Sequence, residues 1–284
     1  MSNDKWPIGV FTSLNAGLGV KLDVVKEVGI PTIQLHAPHA NDRNAAYARD
    51  VKKRLEETGL ELTAVFGGFA GESYESIAIV ENTVGLVPPA TRGPRLQEMK
   101  DISDFARELD CSVIALHLGF VTHNTASQAY TDIVATTKEL CQFAAGNGQA
   151  LHLETGQETA DALVEFIADT GCDNLFVNFD PANMILYGTG EPIDALKKLG
   201  GLVRSVHCKD AKWAAKPGDV WGEEVPLGGG DVNIELYLQT LAEIGYEGPL
   251  TIEREIPQEP ERQKQEIGHA VNLLNDLKQS LVSA

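Results

Sequence analysis

Eight short apolar runs alternate with eight segments of helical periodicity along this chain, and that alternation restricts the fold more than any other feature. The runs begin at Pro7, Pro31, Glu61, Ser112, Leu151, Leu175, Val203 and Pro249. The helical segments are Val20 to Val28, a helix capped by Asn41 or Asp42 that runs to Thr58, Arg95 to Leu109, Thr125 to Ala145, Thr159 to Asp169, Pro192 to Leu199, Ile234 to Ile244, and Pro260 to about Ser280. Strict alternation predicts parallel strands joined by helical crossovers, and eight such units close into a barrel. A barrel of this kind commonly uses about 250 residues, so 284 residues need no second domain.

Side chains alternate across a strand, so residues two apart share a face. In the second run Ile33 and Leu35 share one face, and Thr32, Gln34 and His36 share the other. Leu153, Phe179, Val206 and Ile252 likewise oppose Glu154, Asp180, His207 and Glu253. One apolar face suits packing against outer helices, and the polar face then points to the barrel axis. An open doubly wound sheet would need strands apolar on both faces. The expected fold is therefore α/β, a single-domain (β/α)8 TIM barrel over residues 1–284.

Polar residues cluster at the C-terminal ends of the strands, where barrels of this class build their active sites. His36, His117, Glu154, Asp180, His207 and Glu253 all lie there. Three converging carboxylates would repel one another, and a divalent cation removes that cost. The metal-ligand candidates are Glu154, Asp180, His207 and Glu253. A carboxylate-rich set with one imidazole suits Mn²⁺, Mg²⁺ or Co²⁺ as well as Zn²⁺. His36, His117 and Lys209 are candidates to line the pocket, and Trp213 and Trp221 sit on a long loop, Ala211 to Asp231, where either could cap a sugar. The run Gly228-Gly229-Gly230 reads either as an anion cradle ahead of a helix or as a flexible lid. Phe66 interrupts the polar series as an apolar wall, and Arg254 has the parity of a surface residue.

A net charge of -18 excludes a protein that grips nucleic acid, which needs Lys and Arg against phosphates. No stretch approaches the about 18 apolar residues of a membrane span, and the start of the chain shows no secretory signal. Cys111, Cys141, Cys172 and Cys208 lack C-x-x-C spacing and read as reduced thiols of a cytoplasmic protein. The oligomeric state, including a homo-oligomer, stays open.

Taken together, Glu154-Thr-Gly, Phe179-Asp180-Pro-Ala-Asn183, His207-Cys-Lys209-Asp210, Gly228-Gly-Gly-Asp231 and Thr251-Ile-Glu253-Arg-Glu255 resemble the xylose isomerase-like sugar isomerase and epimerase superfamily. The resemblance implies one divalent metal on Glu154, Asp180, His207 and Glu253. It also implies that Glu154 and Glu253 move a proton beside a ketose carbonyl through an enediolate, with Asn183 and Lys209 near the substrate. Asn183 departs from the many ketose epimerases that carry histidine three residues after the aspartate. Seven histidines and the acidic surface depart from the endonuclease IV branch, with its three zinc ions and basic DNA face. A lyase dehydrating a keto-inositol and a non-catalytic sugar-binding barrel are the alternatives.

Overall fold

A computed structural model describes residues 5–14 and 17–283. Residues 1–4, which carry most of the stretch searched for a secretory signal, lie outside them. Eight parallel strands form a closed barrel: β1 (Ile8–Ser13), β2 (Thr32–His36), β3 (Glu61–Gly67), β4 (Val113–Leu116), β5 (Ala150–Glu154), β6 (Leu175–Phe179), β7 (Val203–Cys208) and β10 (Leu250–Ile252). The ring closes through β1 paired with β10, Ile8 opposite Leu250 and Val10 opposite Ile252. The remaining strands, β8 (Asp210–Lys212) and β9 (Glu223–Val225), form a separate antiparallel hairpin.

The connections are α1 (Leu22–Val28), α2 (Ala45–Thr58), α3 (Ile77–Thr83), α4 (Pro89–Glu108), α5 (Gln128–Gly146), α6 (Ala160–Thr170), α7 (Pro181–Tyr187), α8 (Pro192–Leu199), α9 (Ile234–Glu243) and α10 (Pro260–Ser283). Eight helices were expected and the described residues contain ten. The irregular stretch after β3 holds α3, and the segment after β6 holds α7 ahead of α8. The stretch expected as one loop after β7 carries the hairpin. The cap of α2 is Asn44, whose side chain accepts from the amides of Ala46 and Tyr47, and α9 starts on Asn233.

The period-two pattern resolves as expected. Ile33, Leu35, Leu153, Phe179, Val206 and Ile252 are buried in the main core with the helices. The barrel interior is mixed. Phe11, Ala64, Phe66 and Ala115 form a small apolar cluster, and hydrogen bonds cross beside it from Gln34 Nε2 to Asn178 Oδ1 (3.3 Å) and between His152 Nδ1 and Ser205 Oγ (2.8 Å). Buried polar groups survive in a core only when paired, so these bonds explain how a lumen can be polar at mid-height. Burial pushes His152 down to about 3, so it is a neutral packing residue. Among the described residues no helix is long and apolar enough to cross a membrane.

Candidate metal centre

Glu154, Asp180, His207 and Glu253 come from β5, β6, β7 and the end of β10, four neighbouring strands of the ring. One oxygen or nitrogen from each lies within 4.8 Å of all the others. His207 Nδ1 is 2.9 Å from Glu154 Oε1, 3.0 Å from Glu253 Oε2 and 3.4 Å from Asp180 Oδ2. The four groups expected to converge do converge.

Local structure aims each of them. Asp180 caps α7: its Oδ1 accepts from the amides of Ala182 (2.8 Å) and Asn183 (3.0 Å), with Pro181 at the first helical position. Its Oδ2 is left buried with no hydrogen-bond partner. Thr155 ties β5 to this corner, accepting from the Asp180 amide (2.7 Å) and donating to its carbonyl (2.9 Å). Gly156 follows at φ 144°, and a Cβ there would stand 2.7 Å from Asn183 Cβ. Only glycine lets the chain turn away this close to α7. Asn183 Nδ2 then donates to Glu154 Oε1 (3.3 Å).

The His207 ring stacks on Phe66, centroids 5.4 Å apart, and meets Phe11 edge-on at 5.9 Å. Its Nε2 donates to Gln34 Oε1 at 2.7 Å, and Gln34 is oriented for this by its bond to Asn178. With Nε2 donating to Gln34, Nδ1 is the ring atom turned toward the three carboxylates. Nδ1 is buried and has no hydrogen-bond partner.

Two orphaned buried atoms, one imidazole nitrogen and one carboxylate oxygen, thus face each other across the carboxylates of Glu154 and Glu253. Buried polar atoms without partners are costly, and a cation at their common centre satisfies both. The donor set, three carboxylates and one imidazole, fits a divalent ion. Without the ion, burial pushes His207 down, but Glu253 and Glu154 outweigh it and hold its pKa well above 6.5. Burial raises Asp180 to about 6. Burial also raises Glu154 and Glu253, yet His117 and His207 hold Glu154 at about 2, and Lys209 and His207 hold Glu253 well below its usual range.

The centre forms the floor of a cavity of about 500 Å³. His36 and His117 line it, as expected. His117 Nε2 is 2.9 Å from Glu154 Oε2; burial lowers its pKa, but the Glu154 carboxylate raises it to about 9. His36 bonds the carbonyl of Ala37 through Nδ1 (2.9 Å), and burial lowers its pKa. Lys209, also in the wall, is buried, with Nζ 3.2 Å from Glu253 Oε2.

Three placements differ from the sequence reading. Trp213 does not line the cavity. It packs against the main core, while Trp221, beyond the hairpin turn, lines the cavity and packs on Tyr187 at 4.6 Å. Arg254 is not a surface residue. It borders the cavity with its guanidinium 2.6 Å from Glu224 and 2.8 Å from Glu266. The glycine run is neither an open anion cradle nor a loose lid, because the chain's own Asp210 fills it. Oδ2 accepts from Gly228 and Gly230, both at 3.0 Å, and Oδ1 from Val232 at 3.2 Å. A Cβ on Gly230 would collide with that carboxylate at 2.2 Å.

A closed eight-stranded parallel barrel with a carboxylate-rich group at the C-terminal ends of four neighbouring strands is a TIM barrel with a candidate metal centre. The family model of the xylose isomerase-like TIM barrel matches residues 22–277, and the chain belongs to that family. A crystal structure described as a xylose isomerase domain protein from Planctomyces limnophilus is 53% identical and superposes with a TM-score of 0.96, over 99% of this chain and 100% of that one. An uncharacterized protein, MJ1311, of Methanocaldococcus jannaschii is 24% identical over 72% of this chain and 73% of its own length. The fold is shared with an L-ribulose 3-epimerase, at 19% identity, TM-score 0.70 and 98% of both chains. Other barrels of this shape include further sugar epimerases and a probable 3-DHS dehydratase.

Proposed function

We propose that this protein is a cytoplasmic, divalent-metal-dependent sugar isomerase or epimerase acting on a ketose or related polyol ketone. The observation that carries the reading is the pair of orphaned atoms, Asp180 Oδ2 and His207 Nδ1, buried between two glutamates on the floor of a cavity. A divalent cation held by Glu154, Asp180, His207 and Glu253 would supply Lewis-acid polarisation of the substrate carbonyl; Mn²⁺, Mg²⁺, Co²⁺ and Zn²⁺ all suit the donors.

The chain's own groups supply the rest. Glu154 and Glu253 stand on the outer two of the four strands and flank the site, which is the arrangement that removal of a proton on one face and its return on the other requires. His117 holds a proton against Glu154 Oε2. Lys209 sets the charge of Glu253. Asn183 orients Glu154, and His36 borders the substrate space. Phe66 and Phe11 wall the centre on the apolar side, which keeps bulk water from the imidazole. The partner is a small molecule, and neither nucleic acid nor membrane is part of the reading.

Metal analysis and turnover across a panel of ketoses test this. Bound metal and activity should both be lost in Glu154→Gln and Glu253→Gln. Full activity after exhaustive chelation would sink the proposal. A second reading, dehydration of a keto-polyol, draws support from His117, a cavity-lining imidazole that the Glu154 carboxylate keeps protonated and that could supply a proton to a leaving hydroxyl. Product mass decides between them, since dehydration loses water and epimerisation conserves mass.

A further inference from the structure

Six carboxylates surround the ligand space: Glu72, Glu154, Glu224, Glu253 and Glu255 line the cavity, and Asp180 lies in the floor. Lys209 and Arg254 are the permanently cationic side chains among the described lining residues, and both are committed. Lys209 Nζ lies 3.2 Å from Glu253, 3.7 Å from Glu224 and 3.7 Å from Glu255. Arg254 is clamped between Glu224 and Glu266. A divalent cation offsets only half of the negative excess, and a protonated His117 still leaves the cavity negative. The glycine run that could have held a phosphate is filled by Asp210. A different kind of donor remains: Trp221 Nε1 is buried, belongs to a lining residue and has no hydrogen-bond partner. A neutral indole N–H suits a hydroxyl, and the ring beside Tyr187 suits the C–H face of a polyol.

Granting the sugar chemistry proposed above, on which this rests, we infer that the substrate is a neutral, unphosphorylated polyol ketone, selected by a cavity whose surplus of carboxylates repels phosphate esters. Phosphate recognition needs free guanidinium, ammonium or backbone amides aimed at the ligand; here the two cationic side chains of the lining and the amides of the glycine run already hold carboxylates of the protein. Like charge in a confined, poorly solvated space also acts more strongly than at a surface.

The test is calorimetric titration of the manganese-loaded full chain with free 2-ketohexoses and 2-ketopentoses and with their terminal phosphates. Deuterium uptake from solvent beside the carbonyl is followed by NMR for each sugar. The free sugars should bind at least 30-fold more tightly than their phosphates. Equal or tighter binding of the phosphates overturns the inference, and so does failure of every free ketose to bind. Selective binding of free sugars without deuterium uptake upholds charge selection and sinks the proton-transfer reading. Deuterium uptake with phosphates preferred does the reverse. Glu255→Lys, which adds a cation at the cavity wall, should narrow the preference at least threefold, and an unchanged ratio counts against charge as its cause.

Discussion

Gln34 Oε1 accepts the Nε2 proton of His207 at 2.7 Å, across the barrel lumen from β2 to β7. This one bond selects the tautomer that presents Nδ1 to the carboxylates. Partners of this kind typically contribute about 10–100-fold to metal affinity. Gln34→Leu should therefore weaken Mn²⁺ binding by about that factor while the barrel stays folded. Competition against a chelating dye, with circular dichroism as the folding control, checks it; unchanged affinity would assign the ring orientation to Phe66 and Phe11 alone.

Metal binding should strengthen as pH rises. In the cation-free protein the surrounding carboxylates outweigh burial and keep His207 protonated well above pH 6.5, and burial keeps Asp180 protonated to about pH 6. An incoming cation must displace those protons, so affinity gains about tenfold per pH unit for each proton released. Titrations at pH 6, 7 and 8 in two buffers of different ionisation enthalpy measure both the slope and the protons released.

Saturating the centre should raise the melting temperature. Ligand at about 100 times its Kd adds about 2.7 kcal/mol, which for a chain of this size is a shift of about 4–5 °C. Scanning calorimetry of chelator-treated protein with and without Mn²⁺ reads this directly.

Glu158 gives a separate pH signature. Burial raises its carboxyl to about 7, even though Oε1 accepts from the Val121 amide at 2.9 Å. A raised folded-state pKa means that its stabilising effect is full below the unfolded value, near 4.5, and is lost as pH rises through about 7. Glu158→Gln keeps the acceptor and does not ionise. Its advantage over the parent should be near zero at pH 4.5 and reach about 1–3 kcal/mol at pH 8. Urea unfolding at the two pH values decides.

Gly156→Ala should lower both activity and stability. The residue sits at φ 144° with Asn183 Cβ and the Tyr187 ring within 3 Å of where a Cβ would stand. Backbone strain of this kind costs about 1–3 kcal/mol, and moving α7 would misplace Asp180. Metal content and denaturant midpoint together separate the two effects.

Much of the barrel was legible because β-strand alternation makes a simple pattern. The apolar members of β2, β5, β6, β7 and β10 pack with the helices, so their polar neighbours had one face left, and the four-residue centre followed from that parity. What could not be read depends on contacts between distant segments. Gln34 has the right parity, but its partnership with His207 exists only once the ring has closed. Arg254 follows a strand of three residues, so parity no longer predicts where it points. Trp213 and Trp221 lie in the connection between the two three-residue strands of a hairpin, which are too short to show alternation, and the local hint was the turn chemistry of Pro217-Gly218. The glycine run reads as an anion cradle or a lid, and neither reading names Asp210, which lies 18 residues before Gly228 and fills it.

That internal carboxylate also has a thermodynamic consequence. Asp210 gathers the amides of Gly228, Gly230 and Val232, and its strand pairs with the one that carries Glu224, so the connection from the hairpin to α9 is anchored by the protein itself. On the proposed reading, a sugar arriving at the mouth would meet a wall already in place. Little chain entropy is surrendered on association, and weak hydroxyl contacts retain more of their value as affinity.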